Sequence, residues 1–277
     1  MVTRDPHSPA LRLSHDSGSS AEVRLHGAHV TSFVPAGGSE ALFLSRAAEF
    51  APGRAIRGGV PVVFPQFAEM GPLPRHGLAR AQPWERVEND DHPHAVRLRL
   101  RDSQVTRALW PHPFLAELAV ELEADALSIA LTIHDTGDAP FPFTAALHTY
   151  LRVGDVRRAT VEGLRGLRDR EETEERVDED RALAVRGPVD RIYYHTPPEL
   201  RVNDTASGRI FVLHSTGFAD TVVWNPWADA AAALPDMEDG EYLEMLCVEA
   251  AQVGAPVHLH PGERWVGSQR IQVVGDA

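Results

Sequence analysis

The sequence predicts an all-β protein, a large antiparallel β-sandwich with few and short helices. Three observations lead there. Apolar and polar residues alternate with a period of two in one segment after another. Stretches with a helical period are scarce, and no strand–helix–strand rhythm of the kind a parallel sheet requires is present. With 277 residues, 43% of them hydrophobic, the chain has enough apolar material for a substantial core, which excludes a disordered polymer. No fixed-period repeat or linker composition interrupts it, so one domain over residues 1–277 is expected.

The elements follow in order. Val23 and Leu25 precede Gly27, and Val30 and Phe33 follow it, as in an early strand pair. Val96, Leu98 and Leu100 alternate with Arg97, Arg99 and Arg101, which describes a strand with one wet face. Leu118, Val120 and Leu122 form a second run, and Leu127, Ile129, Leu131 and Ile133 a third. The polar break from Glu123 to Asp125 makes these two a hairpin. Acidic residues crowd Asp169 to Asp180, including Glu171, Glu172, Glu174 and Glu175, and suit a solvated loop or an edge strand. Further strands are expected at Ile210–Leu213, Thr221–Trp224, Tyr242–Glu249 and Arg270–Val274. The alanine-rich segment Asp229–Leu234 can form one short helix ending before Pro235.

Charge narrows the partners. The formal net charge is -13, against a nucleic-acid binder with a broad basic face. All 27 basic residues are arginine, so no lysine Schiff base is available. A single cysteine, Cys247, excludes an intramolecular disulfide and a multi-cysteine zinc site. His258 and His260 share one strand face but lack an evident third ligand, so no metal is expected. No apolar signal core opens the chain and no run reaches membrane-spanning length, which suits a cytoplasmic protein without a membrane partner.

Chemistry concentrates in a proline- and glycine-rich stretch. Arg57-Gly58-Gly59-Val60-Pro61 is followed by Pro74-Arg75-His76-Gly77-Leu78-Ala79-Arg80. Proline fixes φ and glycine permits turns, so such a segment can hold side chains without long elements. Three guanidinium groups and an imidazole suit a polar, anionic small molecule. On an acidic protein, that ligand needs a local positive pocket. Elsewhere, His148 follows a Pro/Phe-rich entry, and Glu249 is the ionisable residue of the apolar run Met245–Ala251. Either could be structural. Together they supply a proton donor and a proton acceptor.

Six segments, in order along most of the chain, make the pattern specific. They are Arg57-Gly58-Gly59-Val60-Pro61, Arg75–Trp84, Leu147-His148-Thr149-Tyr150-Leu151, Asp190-Arg191-Ile192-Tyr193, Val223-Trp224-Asn225-Pro226-Trp227 and Cys247-Val248-Glu249. With them the chain resembles the aldose 1-epimerase-like superfamily, and within it the hexose-6-phosphate mutarotases. The resemblance implies a β-supersandwich with a sugar-sized cleft, no cofactor and no metal. It implies His148 and Glu249 as the catalytic pair, Arg57 and Arg80 as phosphate ligands, and His76 and Asp190 as polar residues lining the sugar site. Arg75 stands where relatives often carry a smaller residue, and Gln66 replaces an aromatic, which leaves the sugar itself open. A monomer acting on a small sugar phosphate is the resulting expectation. A sugar-phosphate-binding protein without catalysis, and a mutarotase of unphosphorylated aldoses, are the alternatives.

Overall fold

The computed structural model describes residues 10–87, 92–171 and 173–275. Glu172 and the opening residues Met1–Pro6 lie outside them. Among the described residues the strands form three antiparallel sheets of three, eight and nine strands. The small sheet pairs Ala10–Ser14, Ser20–Arg24 and His29–Val34. The nine-stranded sheet contains the expected hairpin, Phe114–Leu122 with Ala126–Asp135, flanked by Ala95–Arg101 and Arg264–Val274. No helix among the described residues is long and apolar enough to cross a membrane.

The eight-stranded sheet positions the site. Its central strands, in spatial order, are Val189–Tyr193, Asp220–Asn225, Met245–Leu259 and Phe141–Leu147. Alternation gives each strand two faces. Val223, Leu246, Val248, Ala250 and Leu147 point into the main hydrophobic cluster, where they meet Ile129, Leu131 and Ile271 of the nine-stranded sheet. Their neighbours Val222, Ala251 and Ala146 belong to a second cluster, and Cys247 with Tyr150 to a third, on the opposite face. One face therefore closes the sandwich, and the other is left for chemistry.

Three elements differ from the expectation. The strand at Tyr242–Glu249 begins only at Met245, after a 3₁₀ turn over Glu241–Glu244. Gly240 enters that turn at φ 83°, and the buried Glu241 carboxylate accepts hydrogen bonds from the Ser45 hydroxyl (2.6 Å) and Arg46 N–H (2.8 Å). These contacts hold the segment out of the sheet. The alanine-rich helix spans Trp227–Ala232, starting earlier because Asn225 Oδ1 accepts from the Trp227 N–H at 2.9 Å. A further helix, Gln104–Leu109, is set by a capping box between Ser103 and Thr106. The acidic stretch is an edge hairpin, Arg168–Glu171 with Glu174–Val177. Within it Asp169 is buried against Arg176 at 3.1 Å.

Candidate active site

Register explains how residues distant in sequence meet. Ala250 pairs with Leu147, which sets Glu249 beside His148 at the end of that ladder. Val222 faces Glu249 on the other side, while Trp224 and Tyr150 flank Cys247 and Asp190 pairs with Trp224. Residues 190, 222, 224, 247 and 249 thus form one patch on the face turned away from the sandwich core.

The arginine stretch closes over this patch. The His148 N–H donates to Pro61 O (3.0 Å) and the Tyr150 N–H to Gly59 O (2.9 Å), so the Arg57–Pro61 loop is laced to the sheet end. Both glycines are required. Gly58 (φ 108°) and Gly59 (φ 61°) have left-handed backbones, and a Cβ on either would collide with the carbonyl of Phe43 or Val30. Behind them the fully buried His29 donates through Nε2 to Gly58 O at 2.7 Å.

The result is a cavity of about 410 Å³ whose lining includes Arg57, Arg75, His76, Arg80, His148, Asp190 and Glu249. All seven residues expected from the sequence are brought together. His148 Nε2 stands 3.3 Å from Glu249 Oε1, with exposures of 8% and 1%, and the second carboxylate oxygen has no hydrogen-bond partner among the described residues. Burial drives both groups toward their neutral forms. It pushes the Glu249 carboxyl well above the ordinary 4.5, helped by Asp190. It pushes the His148 imidazole well below 6.5, helped by His76, Arg80 and Arg57. His76, edge-on to His148 at 5.3 Å, is likewise lowered by burial and by Arg80, Arg75 and Arg57, to about 2.

The arginines differ. Arg57 is held by Asp236 at 3.2 Å and donates through Nη1 to the Tyr150 hydroxyl at 3.0 Å. Arg80 donates to Arg75 O at 2.8 Å and meets no carboxylate within ion-pair distance among the described residues. Burial, with the fields of Arg57 and Arg75, lowers its proton affinity, so an anion would relieve it. Arg75 is half exposed at the rim, 3.6 Å from Glu69. Donor atoms of His148, Cys247 and Glu249 lie within 4.8 Å of one another, a spacing open to a metal ion. Three guanidinium groups on the same cavity oppose a cation there.

Sequence reasoning missed two participants, Tyr150 and Asp236. Tyr150 lies inside one of the shared segments, but its part depends on ladder register, and Asp236 gives no local signal. Trp224 lines the cavity, whereas Trp227 packs on the core and tilts against Tyr242. Gln66 is absent from the lining. Its amide joins Ala68 O and Leu73 O and fixes the neighbouring loop.

Residues 9–272 match the family model described as aldose 1-epimerase. The chain is 39% identical over 268 residues to a Cenchrus ciliaris protein named "Putative glucose-6-phosphate 1-epimerase", covering 92% of this chain and 81% of that one. A protein of the same name from Escherichia coli K12 is 36% identical, with 83% and 79% covered. The crystal structure of a "putative mutarotase" from Salmonella typhimurium superposes with a TM-score of 0.90 at 29% identity, over 98% of this chain and 92% of that one. The match of sequence and fold has one reading: this chain belongs to the aldose 1-epimerase family.

Proposed function

We propose that the protein interconverts the α and β anomers of a hexose 6-phosphate, glucose 6-phosphate foremost, by acid–base opening and closing of the sugar ring. The observation that carries this is one cavity holding both a buried His148–Glu249 pair and the guanidinium groups of Arg57 and Arg80. The relatives named as glucose-6-phosphate 1-epimerases support the same substrate.

Ring opening needs a proton removed from the C1 hydroxyl and a proton delivered to the ring oxygen. Glu249 as carboxylate takes the first and His148 as imidazolium gives the second. The C1–O bond to the ring oxygen breaks, and the open aldehyde is left beside a protonated Glu249 and a neutral His148. Rotation about C1–C2 presents the other carbonyl face. The ring oxygen then attacks C1, His148 regains its proton and Glu249 returns one to O1. Proton and charge balance over the cycle. The neutral pair favoured by burial is the state that the open-chain form faces, so the site is matched to the intermediate rather than to the closed ring.

Arg57 and Arg80 bind the phosphate in this reading, Arg75 assists from the rim, and His76 and Asp190 orient the hydroxyls. The hydrophobic cluster running from Leu13 to Val273 supports one domain, and a site drawn from one chain supports a working monomer. A phosphorylated sugar is retained inside cells by its charge, which supports a cytoplasmic setting. The test is a coupled assay of α-to-β exchange on glucose, glucose 6-phosphate, galactose 6-phosphate and mannose 6-phosphate side by side. Preference for a 6-phosphate is expected. Equal turnover of glucose would point to the unphosphorylated aldoses, and binding without turnover to a sugar-phosphate binder.

A further inference from the structure

Tyr150 is 2% exposed and touches both halves of the site. Its ring lies parallel to the His148 imidazole, with centroids 4.7 Å apart and an interplanar angle of 8°. Its hydroxyl is 3.0 Å from Nη1 of Arg57, and the Arg57 guanidinium is held from its other edge by Asp236. Trp224 packs edge-on against both rings, at 6.2 Å from His148 and 6.1 Å from Tyr150. The backbone repeats the connection, since the N–H groups of His148 and Tyr150 both bond to the loop that carries Arg57.

We propose that Tyr150 is a positioning residue that joins the phosphate-binding Arg57 to the catalytic His148, holding the guanidinium with its hydroxyl and the imidazole with its ring. This rests on the proposed function above and adds a path by which the distant phosphate bears on the reacting end of the sugar. A phenol face stacked on an imidazole favours the imidazolium over the neutral ring through the ring quadrupole. That is the form that must give its proton to the ring oxygen. The titratable groups facing His148 are Glu249, His76 and Cys247; the fields of His76, Arg80 and Arg57 disfavour the imidazolium, and an ionised Glu249 at 3.3 Å would support it. Binding energy from a remote part of the substrate can serve orientation at the reacting centre, and a contact between the two protein groups adds a connection to the one the substrate's own frame provides. Tyr150 is that connection.

Two variants separate the two contacts. Tyr150→Phe keeps the stack and removes the hydroxyl. It should raise KM for glucose 6-phosphate about 3- to 10-fold, the loss of one hydrogen bond on the guanidinium, and leave KM for glucose unchanged. Tyr150→Leu removes the stack. It should lower kcat about 10-fold or more on both sugars and move the acid limb of the pH–rate profile to lower pH. Equal KM for glucose 6-phosphate in wild type and Tyr150→Phe, or an equal rise on both sugars, overturns the link to Arg57. Wild-type kcat and an unmoved acid limb in Tyr150→Leu overturn the link to His148. Should Tyr150→Leu not fold, Tyr150→Phe still decides the link to Arg57, without which the proposal fails. Absence of any preference for glucose 6-phosphate in the wild type is a different result. It defeats the proposed function first, and the coupling with it.

Discussion

Nε2 of His148 and Oε1 of Glu249 lie 3.3 Å apart in a site where both side chains are nearly sealed from water. At that separation the two groups are coupled, and their titration belongs to the pair. Burial sets where the proton rests. It disfavours the ion pair and draws the Glu249 carboxyl and the His148 imidazole toward their neutral forms.

The pH dependence follows from this. The productive pair carries one proton. On acidification a second proton must enter the depressed His148, so the acid limb lies below the ordinary histidine value of 6.5. On the alkaline side the last proton leaves the raised Glu249, so that limb lies above the ordinary carboxylate value of 4.5. The expected kcat/KM profile is a bell about the neutral pair. The phosphate ionises near pH 6, so profiles on glucose and on glucose 6-phosphate should differ by that one limb. A profile with no limb on either side over the whole pH range in which the protein stays folded, with chemistry rate-limiting, contradicts the two-residue mechanism.

Phosphate recognition must be local, because the chain is acidic overall and long-range attraction is unavailable. A charge-assisted hydrogen bond contributes about 1.5–3 kcal/mol. Arg57→Ala or Arg80→Ala should therefore raise KM for glucose 6-phosphate about 10- to 100-fold, with little change on glucose. Arg75→Ala should cost about threefold or less, since that side chain is half exposed and near Glu69. Equal losses on the two sugars would assign Arg57 and Arg80 to the fold or the sugar ring.

His29 couples stability to pH. Burial, offset in part by its bond to Gly58, lowers its pKa from 6.5 to about 3. The unfolded chain thus binds the proton first on acidification. The stability that neutral His29 contributes is complete above 6.5 and is lost as pH falls from there toward 3. The limiting slope is about 1.4 kcal/mol per pH unit. Relative to His29→Gln, the wild type should lose about 2 kcal/mol in urea unfolding between pH 6.5 and 5. An unchanged difference between the two proteins would show that His29 is not held neutral.

Much of this was legible in the sequence. Alternation marks the Phe114–Leu122 and Ala126–Asp135 strands because one face of each is buried and the other is not. The seven site residues lie in five of the six ordered segments; sheet register places Asp190, Glu249 and His148, and the loops that carry Arg57, Arg75, His76 and Arg80 close over them. Other features were beyond local reading. The turn at Glu241–Glu244 depends on a buried carboxylate reaching Ser45 and Arg46, a tertiary contact that overrides strand propensity. The Gln104–Leu109 helix carries its signal in Ser103 and Thr106, a capping box closed by a threonine instead of glutamate or glutamine. Asp236 sits on a connection with no periodic pattern, and only the fold brings it to Arg57.

The most direct measurement is steady-state exchange on glucose 6-phosphate by Glu249→Gln and His148→Asn, each checked for folding by its thermal transition. Glu249→Gln is isosteric and His148→Asn keeps a polar amide near the ring position, but neither can carry a proton in the required way. The expected result is a fall in kcat of roughly 100-fold or more with KM little changed. Near-wild-type turnover by either folded variant would contradict it.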